Sequence, residues 1–427
     1  MRITILTQYY PPEMGAPQAR LSELARNLVS TGHTVTVLTS MPNYPTGRLF
    51  QGYRGLYRRE NVDGVSVIRA FIYPSNSLGV APRLLNYFSF VLSSILIGAV
   101  VLPRADFLLT ESPPLFLGIS GFLLSRLKGA RWIFNVSDLW PESAVRLGVV
   151  GEGLSLRIAY AIEAFCYRKA WLVTGQSREI LADIHRRFPN VSTHHLSNGV
   201  DTDLFGPERR SLKTRRDFGR RDFGNDGSCI ALYAGLHGIA QGLDQILEAL
   251  TLVDNQTSLE VVFIGDGPEK ERLIRRSAEL GLKNVRFLGA RGRSEMPATI
   301  ASADIALVPL KSKLPGAVPS KIYEAMGSGV PVLLVADGEA GDIINSAGCG
   351  IVVPHGDLRG IASALERLAN NADLRREMGA AGRRQAVERF DRRTICTTFE
   401  LLLGDQAASR TLSGPLRQTH SPVKGTE

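Results

Sequence analysis

Twice along this chain, short apolar runs alternate with amphipathic stretches of helical period. Parallel sheets covered by helices on both faces satisfy that pattern, and few other folds do. The first series opens with residues 2–7 (RITILT), a Pro/Gly loop and an amphipathic segment from about Pro17 to Thr31, stopped by Gly32. Further strands are predicted at 33–39, 65–71, 105–110, 131–136 and 171–175. The alternation halts at Ser197-Asn198-Gly199-Val200-Asp201 and restarts at 229–234 (CIALYA), followed by 259–264, 285–288, 304–309 and 330–335. The predicted fold class is therefore α/β, with two Rossmann-like, doubly wound domains facing a cleft. They are expected at 1–198 and 229–403, joined by a polar, basic linker at 199–228. The last helix is expected to pack back on the first domain, ahead of a disordered tail at 404–427. The linker repeats Arg215-Arg216-Asp217-Phe218-Gly219 as Arg220-Arg221-Asp222-Phe223-Gly224, which reads as a tolerated loop duplication.

A length of 427 residues supports two cores, and 44% hydrophobic with 21% charged residues excludes global disorder. The four cysteines have neither CxxC spacing nor a nearby zinc-pattern histidine, so they read as buried thiols of a reducing compartment. Met1-Arg2 enters a strand at once, with no signal-peptide cleavage pattern, so a cytoplasmic location is expected. The formal charge of +9 points to an anionic partner. No zinc finger, RNP-type motif or basic helix is present, which disfavours nucleic acid. Residues 84–102 carry no charge and lie between Arg83 and Arg104. Their length approaches the roughly 20 residues that span a bilayer, but spanning would part the strands of one sheet. Two readings stay open: a helix partly covering the sheet and partly touching lipid, and a wholly buried crossover helix.

The chemistry concentrates in two loops and a helix start. The loop Gln8-Tyr9-Tyr10-Pro11-Pro12-Glu13-Met14-Gly15-Ala16-Pro17 follows the first strand, where Gly15 permits close approach of a ligand. It is not GxGxxG, so the dinucleotide fingerprint is absent and a merely structural turn is the equal alternative. The second domain carries Gly316-Ala317-Val318-Pro319-Ser320-Lys321-Ile322-Tyr323-Glu324, then a tight Gly327-Ser328-Gly329-Val330-Pro331 exit. A helix starting near Pro319 presents free N–H groups and its dipole to an anion such as a pyrophosphate. Lys321 adds a positive charge there. Glu324, one turn on, can accept hydrogen bonds from both ribose hydroxyls. A surface Lys–Glu pair is the plain alternative.

With Phe263-Ile264-Gly265-Asp266-Gly267-Pro268, Phe287-Leu288-Gly289, Ala301-Ser302-Ala303-Asp304-Ile305 and Phe205, these residues resemble retaining glycosyltransferases of family 4 with the GT-B fold. Asp138-Leu139-Trp140-Pro141-Glu142 and Pro319-Ser320-Lys321 look most like bacterial surface-polysaccharide enzymes of the N-acetyl-L-fucosamine transferase branch. The resemblance implies transfer of an N-acetylated amino sugar from a UDP-sugar, and the uncharged 84–102 segment, its flanking arginines and the excess positive charge point to a polyprenyl-diphosphate-linked saccharide as acceptor, at the inner face of the cell membrane. The resemblance also implies retention, no metal and no cofactor besides the nucleotide sugar. The donor-binding set becomes Gly15, Gly238, Gln241, Gly289, Ser320, Lys321 and Glu324, with Asp138 and Lys321 catalytic. The chain departs from the family at three places. Gly316 stands where a first glutamate is usual, Gly235–Gly242 lacks the usual Arg and Lys, and Ser137 replaces a histidine. Asp138 reads equally as an acceptor base or a helix cap. His237 reads as a loop histidine, and Asp201-Thr202-Asp203 as linker rather than a metal site. Two rivals are a nucleotide-sugar 2-epimerase and a non-catalytic membrane-associated subunit that binds nucleotide sugar.

Overall fold

The computed structural model describes residues 1–13, 15–44, 46–75, 80–146, 153–218, 228–311 and 316–412. One sheet holds β1 (Arg2–Leu6), β2 (Thr34–Ser40), β3 (Tyr57–Val62), β4 (Val65–Ala70), β5 (Phe107–Ser112), β6 (Arg131–Val136), β7 (Leu172–Gly175) and β8 (Thr193–His195). Its order is β3-β4-β2-β1-β5-β6-β7-β8. The second holds β9 (Cys229–Ala234), β10 (Leu259–Ile264), β11 (Val285–Leu288), β12 (Ile305–Pro309), β13 (Val332–Val335) and β14 (Gly350–Val353) in the order β11-β10-β9-β12-β13-β14. The pairings are parallel except that of β3 with β4. Helices cover both faces of each sheet, so strands such as β5 and β10 are buried along their whole length.

Strand order reverses between β1 and β5 in the first sheet and between β9 and β12 in the second. Crevices open at such reversals, outside the carboxyl ends of the strands. The Gly15 loop leaves β1, the Gly235–Gly242 loop leaves β9, and the segment leading to Ser320 leaves β12. All three therefore reach the crevice edges.

The structure revises three expectations. The last helix, Arg392–Leu412, runs nine residues past 403 instead of giving way to a tail. Cys396, Phe399 and Leu403 dock into the first domain's core beside Ile5 and Leu28. Asp405, Gln406, Ala407 and Ala408 then cost little to add to a helix already nucleated. Residues 413–427 lie outside the described residues. The join is also more ordered than a linker: Leu212–Phe218 is helical, and Phe218 is buried in the second domain's core. Val200 pairs with Asp391, its N–H donating to Phe390 O at 2.8 Å. Residues 219–227, with the second copy of the repeat, lie outside the described residues.

The uncharged segment is the helix Val80–Val101. Phe90 and Leu102 enter the core, and Ser94 Oγ donates to Ser120 Oγ at 3.0 Å on the neighbouring helix Leu117–Lys128. Its other side is open: Leu85, Phe88, Leu92, Leu96 and Val100 form an exposed stripe at helical spacing, with Val100 85% exposed. Crossing a bilayer would pull β5 from β1, with which it pairs from Ile3↔Phe107 onward. The wholly buried reading is ruled out as well.

Candidate active site

The helix Ser320–Gly327 begins at the crevice without any side-chain cap, so its first N–H groups face outward. Its far end is fixed. Arg383 donates to Gly327 O at 2.9 Å, Phe205 O at 2.7 Å and Thr202 O at 3.0 Å, tying the helix to the interdomain segment. Ile322, Tyr323, Ala325 and Met326 are buried, which leaves Ser320, Lys321 and Glu324 partly exposed on the crevice side.

Lys321 Nζ lies 5.5 Å from the Tyr233 ring centroid, a cation–π contact. A Cβ on Gly235 would stand 2.5 Å from Lys321 Cε and 2.8 Å from Nζ. Gly235 has φ +148°, so both its backbone and this approach need glycine. Among the described residues, neither the Lys321 ammonium nor the Glu324 carboxylate makes a hydrogen bond or ion pair. The surface-pair alternative therefore does not describe them. Burial holds the Lys321 pKa below the usual lysine range, against the pull of Glu324. Burial likewise raises Glu324, opposed by Lys321, Arg392 and Arg293. Two partly desolvated charges without partners on one helix face are a costly arrangement that a bound ligand relieves.

Opposite this helix, the first domain contributes a connected polar floor. Arg20 meets Glu111 at 2.5 Å, with both side chains buried. Arg20 also donates to Asn198 Oδ1 at 3.2 Å and Ser137 Oγ at 2.8 Å. Asn135 and Ser137 donate to Glu111 at 2.6 Å and 2.5 Å. Asn198 Nδ2 donates to Gln176 Oε1 at 2.7 Å and reaches Val318 O at 3.5 Å, just ahead of Ser320. This floor fixes the loop bearing Asp138.

Three further ties close the domains on one another. Glu23 accepts from both Arg293 and Arg392. Glu339, opening the helix Glu339–Ala347, accepts the N–H groups of Arg178 at 2.9 Å and Glu179 at 2.7 Å. It thereby caps the helix Arg178–Arg187 of the other domain. Glu179 in turn accepts the Gly316 N–H at 3.0 Å. A Cβ on Gly316, whose φ is +74°, would collide with Ile180 Cγ1. A side chain at 316 would need a strained backbone and a shift of Ile180.

Most of the buried polar atoms without partners among the described residues gather at the same place, Glu260 Oε2 and Ser328 Oγ lying elsewhere. Those gathered include Gln8 Oε1, Gln18 Oε1 and Arg20 Nε near the loop after β1, and both ring nitrogens of His237 with Gln241 Oε1 after β9. Gln18 folds over Gly15 and Gln241 over Gly238, where Oε1 lies 2.7 Å from the position of a Cβ. Each glutamine follows its glycine by three residues. An amide can accept from sugar hydroxyls or, turned over, donate to phosphate oxygens, so both loops suit a ligand carrying both groups.

The predicted set is thus brought to one crevice in part. Gly15, Gly238, Gln241, Ser320, Lys321 and Glu324 lie on the loops and helix start just described. Gly289 is exposed after the edge strand β11, with open space at its Cβ position. Asp138 accepts from Ser143 Oγ at 2.8 Å through Oδ2, bracing the turn into the helix Glu142–Arg146, and burial raises its pKa. The Leu139 N–H also donates to this carboxylate. His237 is fully buried among Tyr233, Phe263 and Phe287, and burial pushes its pKa down to about 4. Asp203 pairs with Arg393 at 2.6 Å, and Asp201 Oδ1 accepts the Asp203 and Leu204 N–H groups, so this pair is engaged in the join. Gln18, Arg20, Glu23, Glu111, Glu179, Arg293, Glu339 and Arg392 were not anticipated. Only the repeated Gly-x-x-Gln spacing was visible in the sequence.

Comparison with known proteins separates the two halves. Residues 15–199 match the family "Glycosyl transferase 4-like domain", and residues 216–385 match "Glycosyl transferases group 1". The Escherichia coli (strain K12) protein WcaI, named as a colanic acid biosynthesis glycosyl transferase, is 25% identical over 352 residues, 79% of this chain and 84% of its own. A Mycobacterium tuberculosis protein named GDP-mannose-dependent alpha-(1-6)-phosphatidylinositol monomannoside mannosyltransferase is 24% identical over 420 residues, 95% of this chain and 99% of its own. Among solved structures, sucrose-phosphate synthase of Thermosynechococcus elongatus superposes with TM-score 0.76 at 18% identity, covering 96% of this chain and 99% of that one. HepE of Anabaena, solved with UDP-glucose, gives 0.70 at 17% identity, covering 96% of this chain and 100% of that one. At these identities the likeness shows the two-domain GT-B fold.

Proposed function

We infer that this chain, a glycosyltransferase whose 4-like domain precedes a group 1 domain, binds a nucleotide sugar against its second sheet and passes the sugar to an acceptor held by the first. The observation that carries this reading is the Lys321 and Glu324 pair, without a hydrogen-bond or ion-pair partner among the described residues, at an uncapped helix start. The diphosphate takes the N–H groups at Ser320 and the Lys321 ammonium, and Glu324 accepts from the ribose hydroxyls. The acceptor oxygen forms a bond to the anomeric carbon as the bond from that carbon to the diphosphate breaks. The electron pair stays on the diphosphate, where Lys321 stabilises it. Asp138 takes the acceptor's proton, and its raised pKa brings it nearer to the working pH of a base. Retention and independence from metal follow from the family resemblance.

The donor we propose is a UDP-activated N-acetylamino sugar such as N-acetylfucosamine, and the product a bacterial surface polysaccharide. The name of WcaI supports the polysaccharide assignment. The acceptor is a polyprenyl-diphosphate-linked saccharide at the cytoplasmic face of the membrane. The stripe from Leu85 to Val100 supports this, continued by exposed Leu123 and Leu127 on the adjoining helix. Asn86 of that helix accepts from Gln8 Nε2 at 2.9 Å, so the lipid-facing element is joined to the loop after β1. Exposed Arg104 and Arg126 favour anionic headgroups.

Vesicle flotation with paired acceptors tests the location. Wild type should float with anionic vesicles and prefer the lipid-linked saccharide. The triple substitution Phe88→Glu, Leu92→Glu, Leu96→Glu should abolish flotation and lower transfer to that acceptor about tenfold or more, while transfer to a water-soluble acceptor persists. A wild type that stays with the soluble fraction and prefers the soluble acceptor would sink the membrane reading.

A further inference from the structure

The turn Ser328-Gly329-Val330-Pro331 ends the helix Ser320–Gly327 and leads into β13. Its backbone is occupied with the helix it ends. The N–H groups of Ser328, Gly329 and Val330 donate to Glu324 O at 3.0 Å, Met326 O at 3.1 Å and Ala325 O at 3.0 Å. The Ser328 side chain is left over. The residue is only 2% exposed, yet its Oγ has no hydrogen-bond partner among the described residues. A serine at a helix end can return its hydroxyl to a carbonyl of the preceding turn, as Ser302 does to Ala298 O at 2.6 Å. A buried hydroxyl that does not is destabilising, and a ligand can remove that cost.

Ser328 lines a cavity of about 350 Å³, a size within the roughly 300–1,000 Å³ of small-molecule sites. The cavity and Lys321 lie at opposite ends of one helix. Arg210, Asp304, Arg375 and Arg376 line it as well. Arg210 Nη2 donates to Asp304 Oδ1 at 3.0 Å, and Arg215 holds Asp304 Oδ2 at 2.7 Å. One carboxylate thus meets two guanidiniums, an excess of one positive charge. Arg375 donates to the carbonyls of Leu368 and Ala369 and to no acid among the described residues, so it adds a second. Arg376 is offset by Asp373, three residues before it. Arg375 and Arg376 stand near the start of the helix Ala372–Arg389, where the dipole disfavours cations and favours an anion. The carboxyl end of Ser320–Gly327 works the other way, but Arg383 already holds its last carbonyl.

We propose that this cavity is a second ligand site, for a small molecule carrying a phosphate monoester. Such a group carries about −1.5 to −2 at neutral pH and presents three acceptor oxygens, which matches the two excess charges and the guanidinium donors around them. The Ser328 hydroxyl donates to one of those oxygens. The remaining walls are alanine, glycine, valine and proline, which hold the body of the molecule without adding charge.

Calorimetric titration of the full chain with inorganic phosphate and with glucose 6-phosphate tests this, with glucose as the uncharged control. Wild type should bind both phosphates and not glucose. Arg376→Glu, at a side chain 79% exposed, and Arg210→Gln, which leaves Asp304 to Arg215, should each weaken both about tenfold or more. Ser328→Ala should weaken them about threefold and melt no earlier than wild type, because the hydroxyl it removes has no protein partner among the described residues. Lys321→Ala, altered at the other end of the helix, should bind them as wild type does. No binding in wild type, equal binding of glucose, or affinities that survive all three substitutions at the cavity would overturn the proposal. So would loss of binding in Lys321→Ala alone, which would place the phosphate at the donor helix start instead.

Discussion

Glu324→Gln should weaken binding of the donor's nucleoside diphosphate by roughly 10- to 100-fold while the fold survives. One hydrogen bond to a charged acceptor is worth about 1.5–3 kcal/mol, and each 1.4 kcal/mol is about a factor of ten. The carboxylate is partly buried and has no protein partner among the described residues, so removing its charge breaks no internal pair. Burial already works against its ionised form, and the amide would relieve that cost in the unliganded protein. A loss of affinity together with equal or higher thermal stability would thus assign the carboxylate to ligand binding. Unchanged affinity in a folded variant would remove the ribose role.

The second large effect is expected at Lys321. Lys321→Ala should lower kcat by about 10²–10³, the usual loss when one preorganised donor to a developing negative charge is removed. KM for the donor should move much less, since the charge on the diphosphate grows as the glycosidic bond breaks. Lys321 suits this task because Gly235 lets its stem lie flat on the end of β9, and the Tyr233 ring supports the ammonium without neutralising it. A variant with raised KM and unchanged kcat would make Lys321 a plain binding residue.

Sequence patterns disclosed what is local or buried on both sides. β1, β5 and β10 lie between helices and are built on short apolar stretches, so parallel architecture was visible at once. β3 (YRRENV) is a charged antiparallel edge, and β8 (THH) is only three residues long, so neither carries an apolar signal. The Lys321–Glu324 relation lies within one helical turn and was legible for that reason. Glu23 could not be read, because its partners stand 270 and 369 residues away and the pairs exist only once the domains close. The same holds for Glu179 and Glu339, which cap backbone groups across the crevice. Gly316 was visible as a departure from the family pattern, but its close approach to Ile180 of the other domain was not. Residues 404–412 read as tail from their sequence, yet they extend a helix already anchored at Leu403.

Those interdomain ties also bear on turnover. Closure must bring the acceptor near the anomeric carbon, and release must undo it. The Glu23 ties are ionic and partly exposed at Arg293, so they weaken as salt rises. The Glu339 and Glu179 contacts to backbone N–H groups are less exposed to that screening.

The most direct measurement is transfer itself. Purified protein would be incubated with nucleotide sugars and a polyprenyl-diphosphate-linked saccharide, with EDTA or with Mg²⁺, and the products weighed by mass spectrometry. The expected result is an acceptor heavier by one sugar residue in both buffers, one nucleoside diphosphate released per transfer, and loss of product in Lys321→Ala. No transfer under either condition, or conversion of the nucleotide sugar to an isomer without any acceptor, would contradict the account.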